Sequence, residues 1–375
     1  MKLLLNIMLQ IFVLASLLSC KGGSTNSFEG GDTVTLKYAK HLKLVKHEGF
    51  TVAILENPWD KGKVLHTYII VPKDNKLPSR LPEGTVVRTP LTRAVATTSV
   101  HCSLIMELGK KESIRGICDL KYINIPWIKN QNAANKIADC GSSIAPNIEK
   151  IIEADADAIL ISPFQNSGGY GRLEEWGNPI IEVADYMETS ALGRAEWIKF
   201  YGMLFGAENE ADSIFNKVEA NYNRLKQIAG ASPKGKSVLF DKITGSVWYV
   251  PGGGSTLGQI VQDANSGYAF KDDKSSGSLS LSAETILSKA SNSDVWLIRY
   301  NTQQDDTYAS LLNENNIYSL FKAFKDKQIY GCNTGKTTFY EDTPFHPDLL
   351  LRDIIIITHP ELRTLGTTKY FKKIK

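Results

Sequence analysis

The chain has 375 residues, 42% of them hydrophobic and 22% charged, with a formal net charge of +3. Those proportions fit a globular protein larger than one typical domain and exclude a disordered or fibrous chain. The near-neutral balance, without a basic block, excludes a nucleic-acid surface.

Lys2 precedes an apolar run from Leu3 to Leu18, which ends in Leu17-Leu18-Ser19-Cys20, the pattern of a lipoprotein signal. A membrane-spanning anchor fits less well, because the run holds Asn6 and Gln10 and falls short of the roughly 20 apolar residues a span needs. Residues 1–19 are therefore assigned to a signal peptide, Cys20 to lipidation, and residues 20–32 to a flexible polar linker. Removing residues 1–19 takes away one lysine, Lys2, and leaves +2. The folded part is expected beside a membrane, and no second apolar run suggests a span.

Residues 33–90 are β-rich. Thr33–Tyr38, Phe50–Leu55 and Val64–Val71 alternate as strands do, and Asn57-Pro58 with Lys61-Gly62-Lys63 punctuates them as a hairpin. From Arg93 the rhythm becomes strand, helix, strand: Ala94–Thr97, Cys102–Leu108, Ile114–Ile117, and later Pro179–Val183, which reads as a parallel α/β lobe over residues 91–185. No proline lies between Pro179 and Pro233, and Ile214, Phe215, Val218, Tyr222, Leu225 and Ile228 recur at helical spacing. One long helix, about 30 Å at 1.5 Å per residue, is expected in an interlobe region of residues 186–232.

A second α/β lobe follows over residues 233–375, with strand Ser237–Phe240, a hairpin at Ser246–Val250, a helix from Ile317 to Phe324, strand Gln328–Tyr330 and a last helix from Asp348 to Ile357. Pro251-Gly252-Gly253-Gly254-Ser255-Thr256 opens a helix but lacks the lysine of a P-loop, and Leu257 stands where a dinucleotide fingerprint needs its last glycine. Its glycines point to close backbone approach, to packing partners ahead of a ligand.

Two stretches repeat. Pro146-Asn147-Ile148-Glu149-Lys150-Ile151-Ile152 leads into Ala158–Ile161, and Leu281-Ser282-Ala283-Glu284-Thr285-Ile286-Leu287 leads into Val295–Ile298. Each reads as a capped helix feeding a buried strand, so two similar lobes with a cleft between them are expected. After Cys20 the cysteines are Cys102, Cys118, Cys140 and Cys332, with no metal-finger spacing. Cys118 with Cys140 is the preferred disulfide, and free buried thiols are the alternative.

Together these parts resemble the helical-backbone class of substrate-binding proteins that serve ATP-driven importers of iron-siderophores, haem and cobalamin. The resemblance spans about Arg93 to Leu362. It rests on Ala96-Thr97-Thr98-Ser99-Val100-His101 ahead of a helix, Gly116-Ile117-Cys118-Asp119, Asn147-Ile148-Glu149, the long middle helix, Tyr249–Ser255 and Leu281-Ser282-Ala283-Glu284. It implies an α/β fold of two Rossmann-like lobes with parallel-rich sheets joined by one long backbone helix, here with an N-terminal β-hairpin extension that departs from the family pattern.

The resemblance further implies that Glu149 and Glu284 dock onto the transmembrane subunits of an ABC permease. Their place in a helix's first turn, after Asn147 or Ser282, also suits a plain helix-dipole role. Ligands of open parallel sheets bind at the carboxyl ends of strands, so the following loops supply the candidates. These are His101, Asp119, Tyr122, Trp127, Phe164, Tyr170 and Arg172 in the first lobe, and Trp248, Tyr249, Arg299, Tyr300, Phe339, Tyr340, Phe345 and His346 in the second. Aromatic rings would bury a large chelate and arginines would meet its negative charge.

The expected function is a lipid-anchored, monomeric receptor on the periplasmic side of the envelope, capturing an iron or cobalt chelate for the permease, with no catalytic residue, no bare-metal site and no cofactor of its own. The alternative is a lipid-anchored enzyme on the same cleft, such as a tetrapyrrole metal chelatase.

Overall fold

The computed structural model describes residues 30–165 and 169–375. The signal peptide, Cys20 and the linker up to residue 29 lie outside the described residues.

Strands β1 (Asp32–Val34), β2 (Leu42–His47), β3 (Phe50–Glu56), β4 (Val64–Pro72) and β5 (Thr85–Thr89) form one sheet in that order. The extension is thus larger than the expected hairpin. After the antiparallel β2–β3 and β3–β4 pairs, the chain returns through residues 73–84 and adds the β-branched run Thr85-Val86-Val87 parallel to β4.

The first lobe's sheet comprises β6 (Ala94–Ala96), β7 (Ile114–Ile117), β8 (Ala138–Asp139), β9 (Ala158–Ile161) and β10 (Ile180–Glu182). All pairs are parallel and the order is β10-β9-β6-β7-β8. The second lobe's main sheet takes β11 (Gly235–Phe240), β14 (Ser266–Tyr268), β16 (Val295–Tyr300), β17 (Ile329–Asn333) and β18 (Lys372–Lys373). Its order is β14-β11-β16-β17-β18, parallel except for the last pair. A small antiparallel sheet of β12 (Ile243–Thr244), β13 (Val247–Pro251) and β15 (Ser278–Leu281) packs beside it.

The repeat holds in three dimensions. β9 and β16, the strands that follow the two repeated helices, each lie beside the first strand of their own sheet. The orders β10-β9-β6-β7 and β17-β16-β11-β14 correspond strand for strand. Asn147 caps helix Ile148–Glu153 through Oδ1 to the Lys150 amide (3.2 Å), and Ser282 caps Ala283–Ala290 through Oγ to the Thr285 amide (3.2 Å).

Helix Glu208–Gly230 is the single long helix between the lobes, preceded by Ala191–Glu196 and Ile198–Phe205. Its buried face carries Ala211, Phe215, Val218, Tyr222, Leu225 and Ala229. Tyr222 donates to Asp263 (2.7 Å) and Asn221 to Asp348 (3.4 Å), tying it to the second lobe, while Lys199 of the preceding helix pairs with Asp212 (3.3 Å).

Direct bonds also cross between the lobes. His346 Nε2 lies 2.6 Å from Glu107, Asn124 donates to the Gly335 carbonyl (3.0 Å), and Thr256 donates to that of Glu188 (3.1 Å).

Two sequence readings change for physical reasons. Of the expected strand Thr33–Tyr38 only Thr33 and Val34 lie in a ladder, within β1, because the amides that follow are taken by buried carboxylates. Lys37, Tyr38 and Ala39 donate backbone N–H to Glu196 (2.8–3.0 Å), and Lys40 and His41 donate theirs to Glu188 (2.9 Å each). Both acids are almost fully buried, Glu196 at 0% and Glu188 at 3% exposure, so these amides replace the water each carboxylate has lost. The preferred disulfide is also absent: Cys118 and Cys140 are free, buried thiols in one small core with Val95 and Ile159. Burial pushes the Cys140 thiol up to about 12, which keeps it protonated and inert.

The glycine-rich turn serves packing. A Cβ on Gly252 or Gly253 would collide with backbone carbonyls of residues 270–277, and Ser255 caps the helix Thr256–Asp263 that follows.

Glu196→Ala leaves three part-buried amides without acceptors and is expected to cost about 3 kcal/mol. A urea titration should show a lowered midpoint with unchanged slope, and the amides of residues 37–39 should exchange faster.

Candidate functional site

In an open parallel sheet, the gap for a ligand opens where strand order reverses, at the carboxyl ends of the two strands that run apart. In the first lobe that point falls between β6 and β9. The residues just past those strands, Thr97 and Thr98 after β6 and Ser162, Pro163 and Phe164 after β9, line a cavity of about 740 Å³. This volume suits a small-molecule site. Ser143 to Glu149, past β8, and Gly169 to Leu173 complete the lining.

The walls are mostly apolar, with Ile144, Pro146, Ile148, Ile161, Phe164 and Tyr170 among them, and Arg172 and Glu149 supply the charge. Ile144 (84% exposed) and Phe164 (58%) present hydrophobic surface to solvent within this lining.

Tyr170 is held from below. Its hydroxyl donates to Glu182 (2.6 Å) and its amide to Glu174 (2.8 Å). The loop after β7 is fixed by Asp119, whose carboxylate receives the amide (3.3 Å) and hydroxyl of Ser143. Asp119 itself sits at φ 51, a left-handed turn that aspartate tolerates better than most residues.

His101 lies behind the cavity in helix Ser99–Glu107, 1% exposed, with Nε2 at 3.4 Å from the Ser162 hydroxyl. Burial lowers its pKa to about 4, so it is neutral at ordinary pH.

The second lobe treats the equivalent point differently. Asp241, just past β11, and Arg299, on β16, form a bidentate ion pair, Nε to Oδ1 at 2.9 Å with the second guanidinium nitrogen on Oδ2. Their side chains fill the place that stands open in the first lobe. The guanidinium is also packed 5.7 Å from the Phe339 ring, so Arg299 is held as a structural cation.

Of the expected ligand residues, Phe164, Tyr170 and Arg172 line the principal cavity together. Trp248 is corrected to core: it is 0% exposed, stacks on Trp296 at 5.6 Å and donates Nε1–H to the Phe240 carbonyl. Tyr300, Phe339 and Phe345 are likewise buried core. His101 is beneath the wall, and Asp119 holds a loop.

Trp127 packs against the core under Lys111, whose ammonium lies 5.4 Å from its ring. Tyr122, Tyr249 and Tyr340 are exposed elsewhere, and His346 is engaged with Glu107. Glu149 and Glu284 are both exposed in the first turn of their helices, and Glu149 also stands on the cavity wall.

Sequence reading missed Thr98, Ile144 and Ser162. Ser162 stands immediately after a buried strand and Thr98 two residues after one, a signal that was available; Ile144 carries none. Among the described residues, no group of three or more His, Cys, Asp or Glu is placed to hold a metal ion.

Residues 95–334 match the family model described as periplasmic binding protein. The chain belongs to this family. A lipoprotein of Methanocaldococcus jannaschii is 29% identical over 367 residues, covering 91% of this chain and 86% of its own. A second lipoprotein of that organism is 26% identical over 91% of this chain and 87% of its own.

Among solved structures, the molybdate periplasmic binding protein of Haemophilus influenzae superposes with a TM-score of 0.60 at 16% identity, over 73% of this chain and 88% of its own. A possible iron-binding, periplasmic solute-binding protein of Staphylococcus epidermidis gives 0.55 at 18%, over 72% and 99%. The periplasmic haem-binding protein of Vibrio cholerae gives 0.56 at 15%, over 69% and 97%. These similarities show the two-lobed fold of the helical-backbone class. No helix among the described residues is long and apolar enough to cross a membrane.

Between pH 6.5 and about 4 the unfolded chain takes up a proton at His101 that the folded chain refuses. Stability at this site is therefore present above pH 6.5 and lost as pH falls through that window. Denaturation of wild type and His101→Gln at several pH values should show a steeper acid loss in the wild type.

Proposed function

We propose that this periplasmic binding protein is lipid-anchored through Cys20 on the periplasmic side of the envelope and captures a metal chelate for an ABC permease. The observation that carries the reading is the apolar cavity at the first lobe's strand-order reversal, with Phe164 and Tyr170 as flat walls and Arg172 as its cation. Rings of this kind bury a large planar or catecholate-like ligand, and the guanidinium pairs with carboxylate or chelate charge. The cargo is an iron-siderophore, haem or a corrin.

Capture is favoured over chelatase chemistry by the position of His101. An imidazole that shuttled protons or inserted metal would need contact with the ligand, whereas this one is buried and neutral behind Ser162.

Glu149 and Glu284 are the proposed permease contacts. Each is exposed at the start of a capped helix in its own lobe, so the pair offers two separated negative points that set the orientation of docking. Glu284 is held ionised, its pKa lowered by its own backbone amide and by Ser282.

Absorbance titration of the purified protein with ferric siderophores, haem and cobalamin is expected to give a one-to-one complex with chemically unaltered ligand for one of them, weakened at least tenfold by Tyr170→Ala. Turnover of the ligand would replace this reading by the enzyme. Glu284→Ala, which lies outside the cavity lining, should keep ligand affinity, and combined with Glu149→Ala it should abolish stimulation of the permease ATPase at saturating ligand; full stimulation by the double variant would remove the docking assignment.

A further inference from the structure

A second cavity, of about 670 Å³, lies between the N-terminal sheet and β10 of the first lobe. The extension contributes Asn57, His66 and Thr85 to it, and the lobe contributes Tyr170, Glu174 and Glu182. Gly169 and Tyr170 line both cavities, so the two adjoin at this point. The family match begins at residue 95, so the extension's half of this chamber lies outside it.

The chamber is built around one buried acid. Glu182 ends β10 and is 7% exposed. One of its oxygens accepts the Tyr170 hydroxyl at 2.6 Å, and the other lies 3.2 Å from His66 Nδ1. His66 is fixed in turn by Thr85, with Nε2 to Oγ1 at 2.8 Å, and by stacking on Tyr68 at 4.3 Å. The Tyr68 hydroxyl accepts the Glu182 amide (2.7 Å) and donates to the Ile180 carbonyl (3.0 Å), locking the acid's backbone to the extension.

Two carboxylates, Glu174 and Glu182, face this space, and no lysine or arginine does so among the described residues. Taking a carboxylate out of water is costly unless a cation meets it, and an anionic ligand group here would add like charge. Tyr170 and His66 each engage one oxygen of Glu182, His66 as an ion-pair partner only when it is protonated, and each oxygen keeps a further lone pair. An ammonium group matches that vacancy in charge and in hydrogen bonding.

We propose that this chamber is a binding site for a primary ammonium group, borne on an arm of the cargo whose remaining part occupies the principal cavity. The link to the cargo rests on the transport reading, whereas the site itself is testable without it. Calorimetric titration of the full chain with butylammonium at pH 8 should show saturable one-to-one binding, at least tenfold tighter than butan-1-ol.

Glu182→Gln should weaken butylammonium at least tenfold, with an unchanged circular-dichroism melt as the check on folding. Glu174→Gln, at an exposed position that does not threaten the fold, should weaken it several-fold. The proposal is overturned if butylammonium does not saturate, if it binds no better than the alcohol, or if neither variant changes its affinity. Any of those results leaves the chelate titration free to succeed or fail by itself.

Discussion

A parallel sheet whose strand order reverses must leave a gap at the reversal, because the two neighbouring connections leave on opposite faces. Both lobes obey that constraint, at β6–β9 and at β11–β16. What differs is what fills the gap. In the second lobe Asp241 and Arg299 close it with their own ion pair; in the first, Thr97, Thr98 and Ser162 are too short to do so, and a cavity remains. One repeated supersecondary unit thus yields an open cavity on one side and a braced surface on the other.

The N-terminal section gives this lobe support from outside the matched residues 95–334. Its strap, residues 37–41, satisfies two buried glutamates of the interlobe region, and Lys37 and Tyr38 reach Glu219 on the long helix. Its sheet meets the exposed edge of β10 through Tyr68 and His66, so an unpaired strand edge is covered and a polar chamber is enclosed in the same contact. Packing of the extension and shaping of the site therefore share residues: Tyr170 is steadied by Glu182, and Glu182 by the extension.

The sequence made the repeat legible because capping and strand burial are local. Asn147 and Ser282, the acids two residues on, and the apolar runs Ala158–Ile161 and Val295–Ile298 announce the same unit twice. The long helix was equally readable from its spacing. Readings failed where a distant partner decided the outcome. Trp248 and Tyr300 look like loop aromatics in a string of residues, yet a strand's two faces are told apart only once Trp296 and Gly331 are known to lie against them. Arg299 gave no hint of Asp241, 58 residues away. The strap looked like a strand because alternation does not reveal that its amides are claimed by Glu188 and Glu196.

The central claim is that cargo is held at the first lobe's strand-order reversal. A crystal structure of the protein with the chelate that titrates tests it most directly. Density is predicted against Phe164, Tyr170 and Arg172, in front of Ser162, with the Asp241–Arg299 pair undisturbed. Density seated elsewhere, or an Arg299 released from Asp241 to hold the ligand, would contradict it.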